Sequence, residues 1–172
     1  ERGHLEGMSE NEKNDLFNLI GMGGLKYYLL KVDPKKRMMF NPDESIELNG
    51  NTGPFIQYTH ARIKSLLTKS AALNLDQATN CEKIEEVEKE IIKLLVEYPS
   101  IIEEAAKEQS PAVIANYTYE LVKTYNNFYQ TIPILIEENE ITKHMRLVMS
   151  VNVAKVINSA MRLLGVRVPE RM

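Results

Sequence analysis

The sequence has little cysteine: Cys81 is the single one in 172 residues. That excludes a disulfide framework and every zinc or iron–sulfur site built from several cysteines, and it points to a reducing, cytoplasmic setting. No apolar run approaches the roughly 18–20 residues that span a bilayer, so no membrane partner is expected. The opening Glu1-Arg2-Gly3-His4 has no charged-then-apolar signal layout. Positive charge is not in excess either: 21 Lys+Arg stand against 24 Asp+Glu, net −3, which argues against a protein that coats DNA. Internal repeats, low-complexity linkers and an initiator methionine are also missing, and the chain is read as a piece cut from a larger protein.

What is present is an ordinary globular composition, 44% hydrophobic and 26% charged. It suits one domain, or two small pieces sharing a core, since a domain takes ~100–200 residues. Ser9-Glu10-Asn11-Glu12 is a capping box ahead of Leu16, Leu19, Ile20, Leu25 and Leu29, predicting a helix to about Val32. Gly21, Gly23 and Gly24 inside it call for close packing, a break or a kink, at ~1 kcal/mol each relative to Ala. Asp33 to Gly53 is punctuated by Pro, Asn and Gly and is predicted as loop with at most two short strands, Arg37–Phe40 and Ser45–Leu48.

From Pro54 onward every segment is predicted helical. One helix starts at Pro54 and runs to about Ala72; a second, capped by Thr79-x-x-Glu82, carries the stripe Ile84, Val87, Ile91, Leu94 and ends at Tyr98-Pro99. A short helix follows over Ile101–Glu108. Another starts at Ser110-Pro111, with Val113, Tyr117, Leu121, Tyr125, Phe128 and Ile132 stepping by three or four until Pro133. The last is capped by Thr142 and stopped by Gly165 at its C′ position. The fold class is therefore all-α, an antiparallel helical bundle preceded by a short loop or strand segment. Its ends are basic and its middle acidic: residues 82–108 hold nine Glu against four Lys. Such charges are ordinarily solvated helix faces, and an RNA passing the basic ends is the functional alternative.

Catalytic chemistry finds no constellation. Gly21-Met22-Gly23-Gly24 follows a capped helix and lacks the Lys-Ser/Thr of a phosphate loop. His4, His60 and His144 are scattered and belong to no H-E-x-x-H, so no metal is expected. Cys81 has no evident His partner, and the glutamates lie on a polar face. The unusual stretch is Asn49 to Ile63, where a turn enters a helix offering Phe55 and Tyr58 beside Gln57, His60 and Arg62. Aromatic faces with amide and guanidinium neighbours hold unpaired bases, with stacking contributing ~1–3 kcal/mol per base. The packing alternative makes Phe55 and Tyr58 core residues, and Tyr125, Phe128 and Tyr129 pose the same question.

The segment Gly50-Asn51-Thr52-Gly53-Pro54-Phe55-Ile56-Gln57-Tyr58-x-x-Ala61-Arg62-Ile63-x-Ser65 resembles the signature G-N-T-[AG]-P-[YF]-[LI]-Q-Y-x-x-A-R-I-x-S of arginyl-tRNA synthetases. Tyr98-Pro99 through Pro111, Ala115-Asn116-Tyr117 and Phe128-Tyr129 resembles the middle of that family's DALR-type anticodon-binding domain, and Met161 to Met172 resembles its ending L-x-L-L-G-I-x-x-P-E-R-M. The resemblance implies a class I synthetase type of bundle. Residues 1–53 would be the end of a catalytic region and 54–172 the anticodon-binding domain. The motifs of the class that bind ATP, H-I-G-H-like and K-M-S-K-S-like, are absent from this chain, so no catalytic residue and no cofactor is expected in it. ATP with Mg and arginine would belong to the full-length enzyme. The implied partners are the anticodon loop of an arginine tRNA and the catalytic domain of the same polypeptide, not DNA. By resemblance Phe55, Tyr58, Tyr129 and Met172 would touch the anticodon loop. Gln57, His60 and Arg62, with Arg171 beside Met172 in the tail, come from the residues themselves. Phe55 stands where Tyr is common, so a hydroxyl bond is lost there. The alternatives from other classes are a helical protein–protein scaffold and a small helical enzyme built on Cys81 or the glutamates.

Overall fold

The computed structural model describes residues 7–70, 81 and 83–172. Among them are six helices and no strand: α1 (Glu10–Leu30), α2 (Pro42–Ser45), α3 (Gly53–Lys69), α4 (Glu86–Glu108), α5 (Pro111–Thr131) and α6 (Glu140–Leu163). The segment Arg37 to Leu48, read as loop with at most two short strands, forms neither strand. Asn41 accepts from the amides of Asp43 and Glu44 and starts the one-turn α2 instead.

The capping box of α1 forms as predicted, with Ser9 N donating to Glu12 Oε2 at 2.7 Å and Glu12 N to Ser9 Oγ at 3.3 Å. Its glycines do not break the helix. A Cβ on Gly24 would stand 2.6 Å from Ser45 O, and one on Gly53 would stand 2.6 Å from Gly23 O. Close packing is what the glycines permit where α1 crosses the start of α3.

Three boundaries differ from the sequence expectation. Helix α4 runs through Pro99 to Glu108 as one helix, although an interior proline costs ~3 kcal/mol. Contacts on either side of it offset that cost: Tyr98 stacks on Tyr117 at 5.6 Å, Tyr98 Oη donates to Ser159 Oγ, and Tyr117 Oη donates to Leu94 O at 2.7 Å. Its first residue is Glu86, which leaves Cys81 outside the helix start; the cap expected at Thr79 and Glu82 lies outside the described residues, as do Ala72 and His4. Asn139, not Thr142, caps α6, accepting from the amides of Ile141 and Thr142. Gly165 ends α6 at φ +68°, with Val166 N donating to Met161 O.

The core is continuous from α1 to the tail. Tyr27, Ile56, Ile63, Ile91, Leu121, Tyr125, Phe128, Ile157 and Met161 are fully buried, and Val166 joins them. Helix α3 runs antiparallel to α1 and beside α5 in the same direction: Phe55 faces Tyr119, Thr59 faces Asn126, and Arg62 faces Tyr129. Phe17, Met22 and Leu29 of α1, with Met39, Phe40 and Ile46, are exposed.

Candidate nucleic-acid interface

The signature segment is first a structural knot. Asn51 Oδ1 accepts from Tyr27 Oη at 2.7 Å, Asn51 Nδ2 donates to Asn116 Oδ1, and Lys31 Nζ donates to Asn51 O. Thr52 Oγ1 donates to Glu47 O and accepts from Phe55 N, which starts α3 at a fixed point against α1 and α5. Burial pushes the Tyr27 hydroxyl far above the ordinary tyrosine range, so it serves as a neutral donor.

At 100° per residue, positions 55, 58 and 62 share one face of α3, and positions 57, 60 and 64 share roughly the opposite one. On the first face the guanidinium of Arg62 lies between two aromatic rings, 4.7 Å from the Tyr58 centroid and 5.1 Å from that of Tyr129. Its Nη1 donates to Asn126 Oδ1 at 2.5 Å. Phe55, Tyr58 and Tyr129 are half-buried, whereas Tyr125 and Phe128 are core. The packing alternative holds for Tyr125 and Phe128; Phe55 and Tyr129 also pack against the core but, like Tyr58, keep part of their surface open. Leu48, Asn49, Phe55, Tyr58, Arg62, Asn126 and Gln130 line a cavity of about 280 Å³. Small-molecule sites typically run ~300–1,000 Å³, so this one suits a single flat ring better than a whole cofactor. A second cavity of about 440 Å³ lies along Tyr129 to Leu135 and shares Gln130 with the first.

The opposite face of α3 holds the C-terminal tail. Gln57 is buried; its Nε2 donates to Leu19 O at 3.2 Å and to Arg167 O at 2.8 Å, tying α1, α3 and tail together. His60 Nδ1 meets Pro169 O at 2.8 Å, Lys64 pairs with Glu170 at 2.8 Å, and Lys26 Nζ donates to Gly165 O. The structure thus corrects two sequence expectations: Gln57 and His60 face the tail rather than an open surface. Burial pulls the His60 pKa below its ordinary value; Lys64 adds to this, while the Pro169 carbonyl and the Glu170 charge oppose it. Arg171 is exposed and Met172 half-buried. The hydrogen bonds of Ser9, and to a smaller degree the charge of Arg171, hold Glu12 below the usual carboxylate range. The tail therefore lies over α1 and α3, across α3 from Tyr58.

Among the described residues no group of His, Cys, Asp or Glu could hold a metal ion, and no helix is long and apolar enough to cross a membrane. Asn49, Asn126 and Gln130 escaped the sequence reading. Asn126 stands three residues before Tyr129, a spacing that puts both on one face of α5.

Comparison with known proteins bears on this geometry. Residues 56–172 match the family described as DALR anticodon binding domain. The arginine–tRNA ligase of Flavobacterium psychrophilum is 56% identical over 171 residues, 99% of this chain and 28% of that protein. That of Parabacteroides distasonis is 51% identical over 175 residues, 100% of this chain and 29% of that protein. The solved structure of Thermus thermophilus arginyl-tRNA synthetase superposes with a TM-score of 0.87 at 25% identity, over 98% of this chain and 29% of that one. The chain spans less than a third of the length of these relatives.

Proposed function

The chain belongs to the DALR anticodon-binding domain family, and from that premise we propose that it is the anticodon-reading part of an arginine–tRNA ligase. The observation that carries the reading is the Arg62 guanidinium held between Tyr58 and Tyr129 beside a ring-sized cavity. Tyr58, Tyr129 and Phe55 offer faces on which unstacked bases of the anticodon loop lie, and Arg62 supplies charge-assisted donors. Arginine codons share a middle G, so the middle anticodon base is C. Its N4 amine would donate to the side-chain carbonyl of Asn49 or Gln130, and its O2 and N3 would accept from Arg62. Arg171 and Met172 would meet the loop from the other side of α3, with Gln57 and His60 acting through the tail they hold.

The upstream part of the polypeptide would carry the reaction, joining arginine to its tRNA at the expense of ATP in the cytoplasm. Residues 1–53 would be the connector from that catalytic region. The exposed Phe17, Met22 and Leu29 support an apolar contact there.

In the complete synthetase, Tyr58→Ala and Tyr129→Ala should each weaken capture of arginine tRNA by roughly 1–3 kcal/mol, the contribution of a base stack, with the KM for arginine unchanged. Unfolding of both variants at room temperature would make the rings structural and overturn the reading.

A further inference from the structure

The buried amide of Asn126 stands behind Arg62 in α5, 7% exposed. Both of its amide hydrogens are committed: Nδ2 donates to Thr59 Oγ1 at 2.7 Å and to Val122 O at 2.9 Å. Reversing the amide would set its oxygen against the Val122 carbonyl, which cannot donate. The neighbours therefore fix the orientation and leave Oδ1 for Arg62 Nη1. The Thr59 hydroxyl in turn donates to Phe55 O at 3.0 Å. Every donor and acceptor in the series from the Phe55 backbone to the guanidinium has its direction set by the one before it.

The consequence falls on Arg62. An arginine on a helix surface samples many rotamers and loses that freedom when it binds a ligand. Here two rings flank the guanidinium and one amide oxygen fixes one of its N–H donors. One of its five N–H donors is used by Asn126, which leaves the others aimed in a fixed fork. We propose that Asn126 is a positioning residue of the RNA site: through the Thr59–Asn126–Arg62 series it holds the Arg62 guanidinium ready before RNA arrives. The proposal rests on the reading that the Tyr58–Arg62–Tyr129 cluster meets RNA.

The test uses the complete synthetase and the KM for arginine tRNA across a range of salt concentrations. Asn126→Leu, close in size and apolar, is expected to raise that KM about fivefold by releasing Arg62, with kcat changed less than about twofold. Arg62 keeps its charge, so the slope of log KM against log salt should be unchanged. Asn126→Asp sets a carboxylate against the guanidinium, offsets the charge that Arg62 brings to the RNA, and should flatten that slope. Thr59→Val removes the hydroxyl that orients Asn126 at little change in volume and should move KM in the same direction as Asn126→Leu; it carries the comparison if Asn126→Leu does not fold. In an Arg62→Ala background each Asn126 or Thr59 substitution should add less than about twofold. Equal effects with and without Arg62 would make Asn126 a polar core residue and overturn the proposal alone. An Arg62→Ala enzyme with the parent's tRNA KM would overturn the reading of the cluster, and the proposal with it.

Discussion

Glu88 and Arg146 form an ion pair inside the bundle, Arg146 Nε donating to Glu88 Oε1 at 2.6 Å across 58 residues of sequence. Glu88 is fully buried, and its other oxygen accepts from Glu85 N at 2.7 Å, so both carboxylate oxygens are used where α4 begins. Arg146 spends Nη1 on Pro133 O and on Glu137 Oε2, which pins the α5–α6 loop to the same point. Hydrogen bonds from Asn139 N and Arg146 hold the Glu137 carboxyl below its ordinary range. Glu88→Ala should cost about 1.5–3 kcal/mol, because it takes away one of the two carboxylates that pair the buried guanidinium and leaves Glu137 as its remaining counter-charge. Replacing the pair together, Glu88→Leu with Arg146→Met, should recover most of that loss. Chemical denaturation of the three variants checks both statements; a double variant as unstable as Glu88→Ala would show that the pair does more than neutralise itself.

Acid should loosen the tail before it titrates the carboxylates. The folded His60 pKa lies below its ordinary 6.5, chiefly through burial. As pH falls below about 6.5 the unfolded chain binds a proton that the folded chain refuses, so stability falls over that window and levels off below the folded pKa. With Nδ1 donating to Pro169 O, Nε2 is buried without a partner among the described residues, and a proton there would find no acceptor. His60→Asn keeps a donor near Nδ1 and does not titrate. Denaturation at about pH 7.5 and about pH 5.5 should show the parent losing more stability than this variant. Equal losses would place the acid sensitivity elsewhere.

The glycines of α1 should separate by position. A Cβ on Gly21 meets nothing within 4 Å, so Gly21→Ala should stabilise the chain by roughly 1 kcal/mol through helix propensity. Gly24→Ala puts its methyl 2.6 Å from the Ser45 carbonyl and should destabilise by about 1–3 kcal/mol as α2 is pushed away. Thermal melting of the two variants gives opposite signs; shifts of the same sign would contradict the close crossing of α1 with α2 and α3.

Local chemistry was legible in the sequence wherever it decides the structure alone. The Ser9–Glu12 capping box, the Ser110-Pro111 start of α5 and the Gly165 stop of α6 are each set by one or two residues, and each stands where expected. Pro99 misled because its local cost is offset by Tyr98, Tyr117 and Ser159, residues that no window around position 99 contains together. Asn139 won over Thr142 as a cap because it reaches two amides at once.

For the interface, Phe55, Tyr58 and Arg62 share a face by helical spacing alone, and that part was readable. The same arithmetic puts Gln57 and His60 on the other face, where the tail occupies them. Asn126 needed the α3–α5 pairing, since its role depends on Thr59 and Arg62 and on nothing adjacent in sequence.

On the proposal above, the face of α3 bearing Tyr58 and Arg62, with Tyr129 of α5, reads the anticodon loop. The direct measurement is the charging of two arginine tRNAs differing only at the middle anticodon base, C or U, by the complete synthetase and by its Arg62→Ala and Asn49→Ala/Gln130→Ala forms. The parent should prefer C strongly, and each variant, having lost groups that read the C edge, should lose a preference of about 1–3 kcal/mol, so that the two tRNAs become more nearly equal substrates. A preference for C undiminished in both folded variants would contradict the account.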